Sequence, residues 1–397
     1  MALSDEVKAK VSLRSVAERY VTWDQHKSTE ARGDWWAPCP FHGEKTSSFH
    51  VTEKGGAGGS FYCFGCQERG SVIDFMMAIE GIGFADAVKR LADSEGVSRD
   101  ADPARLLEIK EESARKQQEA ARADAAKADR NHERAREIWR ASIVNHRNLI
   151  RYLEGRGIRL DAIGGVPPTL RYHPNLPCYE GQDEAGRAKL IHSGPAMVAF
   201  IGRNKLIGVH RTWIDPEVPS RGRARLECGR KVPKQMLGLT GQIVGNPVLL
   251  SRRTTGTLLV GEGIETVLAA LAAALLRNPN SRPFAEAALT LDAMAGPEDR
   301  RHRPLGKGRM GKPLPSAWPK IDTSRPGYLP PDDTDRAVVL ADPSTKCPET
   351  ARLNAERAAK KIGLCCKHGA RLAVPNDAWD HDEDFADLAM KGTLYDA

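Results

Sequence analysis

Two groups of residues in this 397-residue chain have the types and spacing to do chemistry. The first is Cys39-Pro40-Phe41-His42 and Cys63-Phe64-Gly65-Cys66, two ligand pairs joined by residues 43–62. Tetrahedral zinc takes thiolate sulfur and imidazole nitrogen, and a two-residue gap lets both members of a pair turn onto one ion. Cys39, His42, Cys63 and Cys66 therefore read as a structural Cys3His zinc site. The second group is acidic. Glu262 directly follows the apolar run Thr257–Gly261, Asp342 follows Arg336–Ala341, and Asp384 and Asp387 fall in Asp384-Phe385-Ala386-Asp387-Leu388. Short continuous apolar runs are buried parallel strands, and reactive groups in parallel sheets gather at the C-terminal strand ends.

The elements that must position these residues are legible in outline. Residues 5–20 carry Val7, Val11, Leu13, Val16 and Tyr20 at helical spacing. Lys45–Val51 and Ser60–Tyr62 have strand composition, with a Gly-rich turn from Glu53, and the ligand pairs bracket them. Strands this short need the ion to fold. Helices are expected from Gly70-Ser71 and over Phe84–Ala92. Arg105–Glu137 is dense in Ala, Glu, Lys and Arg, which predicts a helix polar all round that bridges domains. Beyond it, Ala196–Ile201 and Leu206–Trp213 predict an antiparallel pair. The basic stretch Arg221, Arg223, Arg225, Arg230, Lys231 and Lys234 follows, either a phosphate-binding surface or a solvated face. Toward the C-terminus, strands are expected at 257–261, 288–292, 336–341 and 371–374. Helices are expected over 264–275 and from Pro348 to Ile362, with Gly363 closing the second.

The expected architecture is multidomain, α+β and α/β. It comprises a zinc ribbon over 1–100, a charged helical linker over 101–148, a basic mixed subdomain over 149–250 and a parallel α/β domain over 251–397. The last carries a Pro/Gly/basic insert at 297–334, either a nucleic-acid clamp or a loose excursion. Net charge is +7, which favours a polyanionic partner. No apolar run approaches the roughly 18 residues a membrane span needs. The N-terminus lacks a signal pattern, so a cytoplasmic protein is expected; Cys178, Cys228, Cys347, Cys365 and Cys366 have no metal spacing, and the adjacent Cys365 and Cys366 are expected as reduced thiols.

CPFHGEKTSSFHV and FYCFGCQERGSVIDFM resemble the CHC2 zinc ribbon of bacterial and phage DnaG-type primases. Tyr152-Leu153-Glu154-Gly155-Arg156-Gly157 is similar to the opening of that family's catalytic core. Gly208-Val209-His210-Arg211 and Pro233-Lys234-Gln235 are similar to its basic motifs. Glu262-Gly263 and Asp384–Leu388 look like the first and third acidic motifs of its Toprim domain. The second, Asp-x-Asp, reads Asp342-Pro343-Ser344 here. Asp292, Glu265, Asp332, Asp333 and Asp335 are acids that could substitute at that point.

The resemblance implies a DNA primase, a nucleotidyltransferase making short primers on single-stranded DNA from NTPs. On it, Glu262, Asp342 and Asp384 would bind catalytic Mg2+ or Mn2+, with Asp387 beside them, and zinc would be structural. Arg211, Lys234 and Arg230 would hold phosphates. Lys45, Phe49, Tyr62 and Arg69, with Phe64, would meet template, although Phe49 and Phe64 are equally suited to the ribbon's small core. The absence of a recognisable helicase-docking region suggests a compact form carried by phages or mobile elements, with any helicase acting in trans. The alternatives are a non-catalytic single-stranded-DNA-binding or recruitment protein with a degenerate acidic site, and a Toprim nuclease.

Overall fold

The computed structural model describes residues 3–25, 27–41, 47–53, 58–64, 66, 68–94, 103–183, 185–218, 222–254, 256–306, 313–321, 323, 326–343 and 347–395. His42, Lys45, Arg221 and Ser344 lie outside the described residues. The chain divides into two compact units, the division falling at Ala123–Asp124.

In the first unit the predicted single helix over 5–20 is two helices, α1 (Leu3–Lys10) and α2 (Leu13–Ala17). Ser12 breaks them apart. Its hydroxyl accepts the Ser15 N–H at 3.0 Å as the cap of α2 and donates to Glu53 at 3.0 Å. Ser and Thr compete with the helix backbone in this way. Four antiparallel strands follow in the order β1 (Asp34–Pro38), β2 (Ser47–Thr52), β3 (Ser60–Cys63) and β4 (Arg69–Gly70). Side chains alternate faces along a strand. Ala37, Phe49, Val51, Phe61 and Cys63 are buried, whereas Trp36, His50, Tyr62 and Arg69 occupy the opposite face. Helices α3 (Val72–Glu80) and α4 (Phe84–Ser94) close the core with Ile73, Phe75, Val88 and Leu91. A capping box between Ser71 and Asp74 starts α3.

Helix α5 runs unbroken from Pro103 to Ala141. Its last turns depart from the expected solvated spacer: Ala135 and Ile138 are buried in a core with Val198, Val209 and Trp213. His132 Nε2 also lies 2.7 Å from the Leu206 carbonyl. The alanine-rich composition hid this, because a small apolar stripe suffices to seat a helix end.

The second unit has two sheets. After α6 (Arg147–Gly155), the strands β5 (Leu170–Gln182), β6 (Ala188–Ile201), β7 (Gly208–Trp213) and β8 (Gln235–Gly238) form an antiparallel meander. The β6–β7 pairing is the expected one. The next elements are β9 (Val248–Leu249), β10 (Thr257–Gly261), α7 (Ile264–Arg277), β11 (Phe284–Ala287), α8 (Leu291–Ala295), β12 (Arg336–Leu340), α9 (Pro348–Gly363), β13 (Ala370–Ala373) and α10 (Phe385–Met390). The second sheet has the order β13-β12-β10-β11-β9, parallel except for β9 at the edge. The strand expected at 288–292 is instead the turn and helix after β11. Leu289 takes φ +71 and Thr290 caps α8 through the Ala293 N–H. Leu149, Tyr152, Met197, Leu259, Val267 and Leu340 share one core, so segments 149–250 and 251–397 pack as one body. Among the described residues, no helix is long and apolar enough to cross a membrane.

Candidate functional sites: a thiolate centre and an acidic–basic cleft

Cys39 leaves β1, Cys63 ends β3 and Cys66 follows it, so strand pairing brings distant thiols together. Their sulfurs lie within 4.8 Å of one another, and Cys39 and Cys66 are 3.8 Å apart. Sulfurs bonded to one tetrahedral zinc at about 2.3 Å stand about 3.8 Å apart, so the three thiols fit the ion. The Ser48 hydroxyl, 3.2 Å from Cys63 Sγ, and the Cys66 N–H at 3.3 Å surround that sulfur with polar groups. The Cys39–Cys63 contact pushes Cys63 down and Cys39 up, because thiols this close cannot all ionise without a cation to share.

On the ribbon's outer face, Trp36, His50, Tyr62 and Arg69 are register partners in one row across all four strands. Trp36 stacks on His50 at 4.3 Å and on Phe64 at 5.4 Å. Phe64 is 61% exposed, and Lys27 Nζ sits 4.7 Å over the Trp36 ring. Exposed rings beside cations are the means by which proteins stack single-stranded bases and meet phosphates. Phe49 is fully buried, so it belongs to the core and not to this surface; β2 alternation turns His50 outward in its place. Trp36 and His50 escaped the sequence reading, although their placement in strands was the available signal. Phe49→Ala is expected to destabilise the ribbon by about 3–5 kcal/mol. Phe64→Ala should leave the melting transition near the parent's but cost about 1–3 kcal/mol in single-strand binding. Calorimetry and fluorescence anisotropy on the two variants separate these outcomes.

The second site is a cleft of about 260 Å³ in the second unit. Glu262, Asp342, Asp384 and Asp387 all line it, facing Lys234, Lys231, Arg156, Arg223 and His210. Glu262 and Asp342 stand just past the ends of β10 and β12, which pair directly in parallel, so both carboxylates emerge at one sheet edge. Burial first, and then the Asp342 charge, pushes Glu262 up to about 7. Asp342 is pushed up to about 6 by burial and by Asp384 and Asp387. Asp342 is exposed at the cleft mouth, where water moderates its shift; half-buried Glu262 feels the stronger field. Carboxylates that disfavour one another's ionisation are a donor set that a divalent cation relieves.

Asp384 and Asp387 have a structural task as well. They form the capping box of α10, and Asp384 also accepts the Thr266 hydroxyl at 2.8 Å. Arg156 reaches Asp387 at 3.4 Å. The neighbouring Gly157, at φ +74, lies so close to the Ala389 backbone that a Cβ would meet it at 2.4 Å. That contact holds the end of α6 against α10.

Lys234 is where the sequence expected a cleft lysine, and it is positioned by Glu265. Their ion pair is 3.3 Å, and Tyr152 donates to the other Glu265 oxygen at 2.7 Å. Glu265 is held down at about 2 despite its burial, by Lys234 and the Tyr152 hydrogen bond. Glu265 is thereby engaged and offers no substitute for a second acid at the Asp342 motif. Asp333 pairs with Arg253 and Asp335 with His368, neither lining the cleft; Asp332 is also absent from its lining. Asp292, by contrast, adds to the field on Glu262.

Arg211 and Arg230 are not brought into the cleft. Strand alternation puts His210 there and turns Arg211 to the far face of β7, over Trp213. Arg230 pairs with Glu180 on the surface, while the next residue, Lys231, lines the cleft. The one-residue offset at Arg211 follows from the period-2 strand pattern, which a motif match does not resolve.

His210 is buried, which lowers it to about 3, so it is neutral in the folded protein. Its folded value lies below the usual 6.5, so unfolded chains take up a proton that folded ones refuse as pH falls between 6.5 and 3. Stability is therefore expected to drop by up to about 1.4 kcal/mol per pH unit through that window. Urea midpoints from pH 7 to 4.5 should fall more steeply for the parent than for His210→Gln.

The CHC2 zinc finger family matches residues 2–105, and a domain of unknown function (DUF7146) matches residues 129–243. The DNA primase of Treponema pallidum (strain Nichols) is 43% identical over 94 residues, 23% of this chain and 14% of that protein. The DNA primase of Enterococcus faecalis (strain ATCC 700802 / V583) is 29% identical over 162 residues, 40% of this chain and 23% of that protein. The chain thus spans under a quarter of the length of these curated relatives. The crystal structure of the Aquifex aeolicus primase (zinc-binding and RNA polymerase domains) aligns with 100% of this chain and 84% of its own. It does so at 15% identity and a TM-score of 0.33. Residues 2–105 thus match the CHC2 zinc finger family, and the matched segments are similar to bacterial DNA primases.

Proposed function

We propose that the chain is a DNA primase that joins nucleotides on a single-stranded DNA template by metal-dependent nucleotidyl transfer. The observation that carries this reading is the cleft: four acids, one past β10, one past β12 and two at the start of α10, converge opposite a row of cations, in a chain whose residues 2–105 match the CHC2 zinc finger family. On this reading the acidic half would be a Toprim domain. Glu262, Asp342 and Asp384 would hold Mg2+ or Mn2+, with Asp387 and Arg156 fixing the α10 end. Bound by these carboxylates, such an ion would supply Lewis-acid activation of a 3′-hydroxyl and charge neutralisation at the leaving pyrophosphate. Lys234, directed by its ion pair with Glu265, would meet a nucleotide phosphate, with Arg223 and Lys231 beside it. The ribbon's aromatic row, with Arg69 at its end, would stack template bases.

A second reading rests on Asp342-Pro343-Ser344, where the family pattern has two acids: a template-binding protein without synthesis. One incubation separates the readings: single-stranded DNA, labelled NTPs and Mg2+ or Mn2+. Labelled oligomers support the primase, intact binding without oligomers supports the second reading, and template degradation indicates a nuclease.

A further inference from the structure

The Arg211 that the cleft does not use has a setting of its own. Across the antiparallel sheet, Arg171, Val198, Arg211 and Gln235 are register partners in one row on the face opposite the cleft. The end of α5 covers this face with Ala135 and Ile138. Arg171 also has a buried Nε without an acceptor, but its guanidinium lies 4.0 Å over Trp139 and donates to the Trp139 carbonyl at 3.0 Å. Arg211 makes no such hydrogen bond among the described residues. Its Nε is shut off from solvent without an acceptor. Among the described residues it makes only a ring contact with Trp213, at 5.6 Å. The residue as a whole is half-buried, so part of it still reaches the surface.

The charged groups that act on it are Arg134, an exposed cation on α5, and Cys178, a buried thiol. Burial pushes Cys178 up, so it supplies no negative charge at neutral pH. The nearest carboxylate on β5, Glu180, is taken by Arg230. Arg130 stands one helical turn from Arg134 and is also exposed. A guanidinium withdrawn from water without an anion is costly, and burial lowers Arg211 to about 10. Residues kept at such a cost are candidates for ligand contact. The fixed fork of arginine matches phosphate oxygens, and neighbouring arginines match successive phosphates of a strand.

We infer that Arg211, with Arg134, forms a binding site for the phosphate backbone of single-stranded nucleic acid on the sheet face opposite the cleft. The site rests on the reading of the chain as an enzyme that handles single strands, and it would hold template outside the reacting centre. It differs from the cleft cations, which face the acids.

The test uses the full-length protein and a fluorescent oligo-dT, with binding measured by anisotropy from 50 to 200 mM salt. Arg211→Gln and Arg134→Gln are each expected to weaken binding about three- to tenfold at the lower salt. Each should also reduce the slope of log K against log salt by about 0.7, the value of one phosphate contact on a single strand. Because Arg211 satisfies no described partner, Arg211→Gln should melt at or above the parent temperature; a structural arginine would lower it. Unchanged affinity and slope in both variants overturn the site. So does a loss confined to NTP binding, measured separately with Mg2+ present, because it would assign the arginines to free triphosphate. Glu262→Gln in parallel keeps the two claims apart. If it abolishes synthesis while Arg211→Gln binds normally, this site fails and the primase reading stands.

Discussion

Glu262→Gln is expected to reduce primer synthesis by at least about 100-fold while leaving single-strand binding and zinc content unchanged. The substitution keeps the shape of a half-buried side chain at the end of β10 and removes a carboxylate that lines the cleft. Loss of a group that acts directly on charge developing in the transition state costs on the order of 10²–10³ in rate. Folding should not suffer. Glu262 is pushed up to about 7 by burial and by Asp342, so the folded protein is relieved when that charge is removed. Asp384→Asn is a poorer probe, because Asp384 caps α10 and accepts from Thr266. A lost cap alone costs about 0.5–2 kcal/mol. A rate effect there would mix positioning with chemistry, which is why Glu262 is the decisive residue.

Cys63→Ser is expected to have the largest effect on structure: loss of zinc, melting of the first unit and loss of template binding together. Cys63 is completely buried, and its sulfur lies between the other two thiols and Ser48. The ribbon's four strands include one of only two residues, too little sheet to stand without the ion. Structural zinc in small modules contributes about 10–16 kcal/mol of apparent binding energy at neutral pH, which is folding energy there. Metal analysis should find the zinc of the parent missing from the variant, and a chelator should reproduce the loss in the parent. Full zinc content in Cys63→Ser would refute the ligand assignment. The second unit, with its own cores, should keep its melting transition in either case.

Much of this was legible in the sequence for identifiable physical reasons. Ligand spacing announced the zinc site because metal geometry constrains local sequence directly. Glu262 and Asp342 were legible because a continuous apolar run followed by an acid marks the end of a buried parallel strand. Elements β10, β12 and α9 appeared close to their expected positions, Pro348 opening α9 as its first-turn signal implied. What failed was information carried only by tertiary packing. Ser12 looked like one more position in an amphipathic helix until Glu53, just past the end of β2, gave its hydroxyl a partner. Glu265 looked like a spare acid, yet its burial against Tyr152 and Lys234 makes it the fixed counter-charge of the cleft lysine. Arg211 and Phe49 had suitable chemistry but the opposite strand parity. The Tyr152–Gly157 motif acquires a physical meaning only in three dimensions. Tyr152 holds Glu265, Arg156 reaches Asp387, and Gly157 lets α10 approach.

The central claim is template-directed synthesis at the acidic–basic cleft. Its most direct test is to sequence the oligomers that the full-length protein makes from NTPs and Mg2+ or Mn2+ on a single-stranded template of defined sequence. Short products complementary to the template, which vanish in Glu262→Gln, are the expected result. Absence of oligomers from a zinc-loaded protein that still binds the template, or products unrelated to its sequence, would contradict it.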